Sequence, residues 1–179
     1  MLILITGAAG SGTSTLGAAL AQRLGATHLE TDDFFWLPTV PPYTARRDAT
    51  ELRTQLLAAM RAAQHAVVSG SLMGWGDELE NAFDRVVFLH VPTPVRIARL
   101  QHRETARFGH ANPAFLAWAA QYDEGPEEGR SLARHRAWLS TRHCPVLTLE
   151  GDITVAACLD AVLNQARLKP FICTPPASQ

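Results

Sequence analysis

The sequence is almost without lysine: of its 16 lysines and arginines only one, Lys169 near the C-terminus, is a lysine. A bound anion must then be met by arginine, by backbone N–H groups or by a metal. Cysteine is scarce as well. Cys144, Cys158 and Cys173 are odd in number and lack metal-ligand or redox-motif spacing. This excludes a disulfide framework and points to reduced thiols in a cytoplasmic protein. No apolar run approaches the roughly 20 residues of a membrane span. The apolar N-terminus is one strand long and has no basic lead, so neither a membrane segment nor a signal peptide is expected. No sign of charge dominates: the formal net charge is −1, which leaves no basic field for nucleic acid. What remains is one soluble globular domain of 179 residues, large enough for a substantial core, as a monomer or homodimer.

What is present is concentrated at the start. Leu2-Ile3-Leu4-Ile5 reads as a buried strand, and Leu16 to Leu24 as an amphipathic helix. Between them runs Gly7-Ala8-Ala9-Gly10-Ser11-Gly12-Thr13-Ser14, followed by Thr15. Strand, glycine-rich loop and helix in that order are the context of the G-x-x-x-x-G-K-[ST] phosphate loop, and only its lysine is replaced, by Thr13. Glycines let the backbone approach a ligand closely. The N–H groups then form an anion nest at a helix N-terminus, where the dipole also favours negative charge. Ser14 would offer its hydroxyl to Mg²⁺, and Thr15 a second hydroxyl to phosphate.

Further along, strands and helices alternate in the βαβ manner of a parallel sheet. Strands are expected at 27–30, 66–69, 85–91 and 146–149. Helices are expected at 48–63, from Thr93 as cap to about Arg107, at 127–141 and at 154–167. Residues 31–47 read as a loop rich in proline and aromatics. Residues 108–128 read as a lid insertion with a helical stretch near Phe115–Tyr122, and 170–179 as a tail beyond the 1–169 domain. The expected fold is a three-layer α/β/α P-loop NTPase domain with a mainly parallel five-stranded sheet.

Asp32-Asp33-Phe34-Phe35 is similar to the D-D-F-[FY] signature of uridine and nicotinamide riboside kinases. Phe83-Asp84-Arg85 through Val91-Pro92 is similar to the aspartate, apolar strand, Val-Pro segment of small kinases. Arg96, Arg99 and Arg103 lead to Arg107-Phe108-Gly109. With the loop, these segments make residues 1–167 resemble the nucleoside and nucleotide monophosphate kinases, an adenylate-kinase-related P-loop group. Some archaeal cytidylate kinases and adenylate-kinase-like proteins of that group carry threonine at the lysine position.

The resemblance implies ATP and Mg²⁺, and phosphoryl transfer to a small metabolite. Such transfer is mostly positioning and charge stabilisation. Asp33 is the candidate proton acceptor or metal carboxylate, with Asp32 as the alternative; Ser14, Asp32 and Asp33 are the candidate metal residues. On an extended segment the two aspartates point to opposite sides. Arg99, Arg103 and Arg107 share a helical stripe with Arg96, and Arg130 and Arg134 form a second i, i+4 pair. These arginines would clamp phosphates. The stripe suits a nucleoside monophosphate, and the Asp-Asp-Phe-Phe segment a nucleoside. Ser69-Gly70-Ser71 occupies the place where many nucleotide kinases carry an acidic metal residue. Trp36, Pro38, Pro41, Pro42, Tyr43 and Gly74-Trp75-Gly76-Asp77 are candidates for the acceptor wall, and Gly151-Asp152 for the base. The alternative is a nucleotide-binding sensor or regulatory module without efficient catalysis.

Overall fold

Residues 2–7, 66–69 and 85–90 are near-continuous apolar runs, buried on both faces as in the middle of a parallel sheet, whereas 27–30 and 146–150 are less buried and form its edges. A computed structural model describes residues 1–125 and 129–166. In chain order the elements are β1 (Leu2–Gly7), α1 (Thr13–Leu24), β2 (Thr27–Glu30), α2 (Thr31–Phe35), α3 (Ala49–Ala62), β3 (Ala66–Ser69) and α4 (Asp77–Glu80). They continue with β4 (Arg85–His90), α5 (Thr93–Phe108), α6 (Pro113–Ala120), α7 (Leu132–Ser140), β5 (Val146–Glu150) and α8 (Val155–Ala166). The sheet order is β2-β3-β1-β4-β5 and every pairing is parallel. On one face α1 and α8 bury Leu16, Leu20, Leu24, Cys158 and Val162 against Ile3, Ile5, Val87 and Leu89. On the other, Leu56 and Met60 of α3 and Leu139 of α7 pack on Leu4, Val68, Val86 and Phe88. The expected three-layer α/β/α domain with a parallel five-stranded sheet is therefore found.

One glycine sets how closely the first helix sits on the sheet. A Cβ on Gly17 would lie 1.9 Å from Ser69 Oγ and 2.6 Å from His28 Nε2. Glycine inside α1 thus lets the helix rest directly on the ends of β2 and β3, which brings its N-terminus over their carboxyl ends.

Four local expectations change. Residues 31–35 are a helical turn, α2, rather than loop, so Asp32 and Asp33 are about 100° apart around a helix and not on opposite faces of an extended chain. Thr93 is the first residue of α5 and not its cap; Pro92 occupies the cap position, and the Thr93 hydroxyl donates instead to Asp123. The helical stretch expected at 115–122 is α6, two residues earlier, because Asn112 caps it and Pro113 opens it. The helix expected from 127 begins at Leu132, because the Ser131 hydroxyl accepts from the Arg134 N–H and fixes the start there. Residues 126–128, and with them Glu127, lie outside the described residues, as do Lys169, Cys173 and the expected tail.

Candidate functional site

Backbone geometry shapes the loop between β1 and α1. Gly10 and Gly12 have φ of +81° and +93°, a left-handed region costly for other residues. A Cβ on Gly10 would also stand 2.6 Å from the Arg96 carbonyl of α5. The Ser11 N–H donates to Ala8 O at 3.1 Å and turns the chain. Ser11 Oγ is buried and has no hydrogen-bond partner among the described residues. Thr13, where the lysine would stand, is the first residue of α1 and half-buried. The free N–H groups of the first turn of α1, exposed Ser14 and exposed Thr15 thus share one rim.

Beside that rim lies a carboxylate whose role the sequence did not reveal. Ser14 Oγ donates to Glu30 Oε2 at 2.8 Å, at the last residue of β2. Glu30 Oε1 is 3.5 Å from His28 Nε2, and that nitrogen is 2.9 Å from Ser69 Oγ. Ser69 in turn donates to the Thr13 carbonyl at 3.2 Å. The position after β3 expected to lack an acid does lack one; Ser69 packs beneath the loop helix, and the carboxylate comes from the neighbouring strand. Burial raises the Glu30 pKa, the Ser14 hydrogen bond pulls it down, and the charges of Asp32 and Asp33 push it up. Burial lowers the His28 pKa, against the pull of Asp33.

The two aspartates of α2 bear on overlapping groups: both raise the Glu30 pKa, and Asp33 also counteracts burial at His28. Asp32 carries in addition the influence of Arg130 and Arg103. Burial raises its pKa, the two arginines oppose that, and Asp33 adds to it. Arg130 is exposed just before α7; surrounding protein lowers its pKa and Asp32 counteracts.

The arginine stripe of α5 separates into individual contacts. Arg96 is fully buried and donates to the carbonyls of Val91 (3.0 Å), Ala9 (3.3 Å) and Ala119 (3.0 Å) and to Thr93 Oγ1 (2.7 Å). It is a strut between the loop, β4 and α6. Arg99 Nη1 lies 3.5 Å from the Gly10 and Ser11 carbonyls, and its Nη2 pairs with Asp152 at 2.5 Å. Arg103 pairs with Glu104 at 2.8 Å, and Arg107 donates to the Tyr43 hydroxyl at 2.7 Å. Arg130 and Arg134 are not a pair on one helix, since Arg130 precedes the Ser131 cap of α7. Of the expected site residues, Ser14 meets Glu30 and Arg99 meets the loop carbonyls, whereas Arg103 pairs with its neighbour Glu104 and Arg107 lies at the far end of α5.

Aromatic rings pack against one another beyond α2. Phe35 and Trp75 are stacked with centroids 5.9 Å apart and planes 14° apart, and Arg46 lies over Phe35 at 5.5 Å. Buried Glu80 fixes the turn that carries Trp75: its Oε1 accepts from the N–H groups of Gly74 (2.9 Å) and Gly76 (3.2 Å). Sequence reasoning missed Glu80 because an acid in Asp77–Glu80 reads as solvated helix. A second concavity, lined by Phe88, Arg136, Leu139, Val146 and Glu150, contains no loop residue and takes no part in this site.

Residues 3–108 match the model of a family described as AAA domain. The chain is 42% identical over 170 residues to the uncharacterized protein YqaC of Bacillus subtilis strain 168, covering 89% of this chain and 94% of that protein. It is 30% identical over 182 residues to a cytidylate kinase of Natronomonas pharaonis, covering 95% and 83% respectively. Among solved structures, a sugar kinase from Janibacter sp. HTCC2649 superposes with a TM-score of 0.62 at 17% identity, over 97% of this chain and 98% of the other. The fold is kinase-like.

Proposed function

Because the chain belongs to the AAA-domain family of P-loop proteins, we propose that it is an ATP-dependent phosphotransferase acting on a small metabolite. A nucleoside monophosphate or a nucleoside is the acceptor class that the sequence favours, and the cytidylate kinase relative supports it. The observation that carries the reading is the hydrogen bond from Ser14 to Glu30, set directly beside an anion nest. A serine hydroxyl and a carboxylate next to a phosphate site are the hard oxygen donors that Mg²⁺ selects. Glycine at positive φ in the loop and the unpartnered Ser11 hydroxyl fit a bound triphosphate in the same place.

In this reading the nest amides of Gly7 to Thr15 hold the β- and γ-phosphates, and Ser14, Glu30 and Asp33 hold Mg²⁺. When bound, the metal neutralises charge that develops on the transferred group. With no lysine at position 13, the remaining positive charge falls to arginine, with Arg99 already on the loop carbonyls and Arg103, Arg107, Arg130 and Arg134 the further candidates. Such groups act by meeting charge where it grows in the transition state.

The test is turnover of MgATP with the full chain against nucleoside monophosphates, nucleosides and small sugar or vitamin alcohols. A rate well above the no-acceptor background for one compound is expected. Tight ATP binding with no acceptor-dependent turnover would instead favour the sensor or regulatory module.

A further inference from the structure

We propose that Arg96 is a positioning residue of the phosphate loop: by holding the Ala9 carbonyl, it keeps the Gly10 N–H turned toward the bound anion. This rests on the phosphate-binding reading above and concerns how the loop grips without its lysine.

A peptide group is planar and trans, so its carbonyl and its N–H point in opposite directions. Arg96 is fully buried, and its Nη1 donates to the Ala9 carbonyl at 3.3 Å. The Ala9 oxygen therefore faces the guanidinium, and the Gly10 N–H of the same peptide group faces away from it. That N–H donates to no group among the described residues, which leaves it for a ligand. The next residue is an independent sign of one: Ser11 Oγ is buried and has no hydrogen-bond partner among the described residues.

This peptide group needs holding. Gly10, at φ +81°, lacks the Cβ that would restrict the chain to one orientation. Turned over, the group would present the Ala9 carbonyl in place of the N–H, and a carbonyl oxygen repels phosphate. A lysine ammonium in the loop would still attract phosphate with one amide misplaced. Here Thr13 stands at that position, so the backbone N–H groups carry more of the grip.

The planar fork of arginine suits such a task, because it aims several donors in fixed directions. Arg96 Nε donates to Val91 O at 3.0 Å, Nη1 also to Ala119 O at 3.0 Å, and Nη2 to Thr93 Oγ1 at 2.7 Å. The Tyr122 ring lies 5.2 Å from the guanidinium carbon, and the Asp123 carboxylate is 3.6 Å from Nη2. These anchors are themselves tied down. The Tyr122 hydroxyl is 2.8 Å from His135 Nδ1, and His135 Nε2 is 3.0 Å from Thr6 Oγ1, just before the loop. The α5 backbone closes on the same peptide group, since a Cβ on Gly10 would stand 2.6 Å from the Arg96 carbonyl. For stability alone, apolar packing would fill this space at less cost than a buried cation.

The experiment measures binding of ATP and of inorganic tripolyphosphate, which has no base or ribose to hold it, by calorimetry with Mg²⁺ present. The parent is compared with Arg96→Lys and Leu56→Ala. Lysine keeps the charge but not the fork that reaches Ala9, Val91, Ala119 and Thr93 together. Leu56, buried under α3, is a control that loses core packing without touching the loop. Arg96→Lys is expected to bind tripolyphosphate about 10- to 100-fold more weakly, the usual cost of losing a hydrogen bond to a charged group. Folded Leu56→Ala is expected to bind like the parent. In amide NMR spectra the Gly10 N–H is expected to move downfield on adding tripolyphosphate to the parent, and not to Arg96→Lys. Parent-like affinity in Arg96→Lys, a Gly10 N–H in the parent that does not respond, or equal losses in both variants would each overturn the proposal and leave the phosphate-binding reading standing. A parent that binds neither probe would overturn both. If Arg96→Lys does not fold, Thr93→Val is the variant to read, because it keeps the guanidinium but removes its Nη2 anchor. Lower tripolyphosphate affinity there supports the proposal, and unchanged affinity overturns it.

Discussion

At Ser14 a single side chain links two elements that lie 16 positions apart in the sequence. Its hydroxyl bonds Glu30 at 2.8 Å, so each member of the pair loses its orientation if the other is removed. In both Ser14→Ala and Glu30→Gln, the Mg²⁺ concentration for half-maximal turnover is expected to rise about 10- to 100-fold, the usual cost of losing a metal ligand or its hydrogen-bonded partner. Titrating Mg²⁺ at fixed ATP measures it, and an unchanged requirement would remove the pair from metal handling. Ser14 was legible in the sequence because glycine spacing and a following helix define the loop. Glu30 was not, since nothing in Thr27-His28-Leu29-Glu30 says that α1 lies over the end of that strand. Asp32 and Asp33 were legible as a pair but not in their local conformation. Assigning them to opposite faces assumed an extended chain, and α2 is helical there.

At the scale of elements, the central strands β1, β3 and β4 were legible through their apolar runs, and the positions of all five agree with expectation to within a residue or two. Short elements governed by caps were not. Ser131 starts α7 and leaves Arg130 outside it, which no periodicity shows. The contact between α1 and β3 is the most demanding of these packings. Gly17→Ala would gain about 1 kcal/mol of helix propensity in an isolated helix. Here the new methyl meets Ser69 Oγ at 1.9 Å, and overpacking costs about 1–3 kcal/mol. The variant is expected to unfold at lower urea concentration than the parent; a higher midpoint would mean that α1 moves off the sheet without penalty.

For the whole molecule, stability is tied to a histidine at the centre. His135 is 1% exposed; its Nε2 is 3.0 Å from Thr6 Oγ1 on β1 and its Nδ1 is 2.8 Å from the Tyr122 hydroxyl. Burial, with the charge of Arg130, lowers its pKa to about 3. The unfolded chain therefore takes up a proton near pH 6.5 that the folded chain refuses. Stability from this group is complete above that pH and falls as pH drops towards 3, by up to about 1.4 kcal/mol per pH unit. His135→Gln is expected to flatten this slope in denaturant titrations between pH 6.5 and 4, and an unchanged slope would place the acid sensitivity elsewhere. The layered fold was legible in the alternation of elements, but the order β2-β3-β1-β4-β5 was not, because which strands pair is decided by long-range packing. Thr13 at the head of α1 has a practical corollary. Reagents that mark nucleotide sites by acylating a lysine amine find none in the loop, so surveys of cell extracts based on that chemistry would pass over this site even when it is filled with nucleotide.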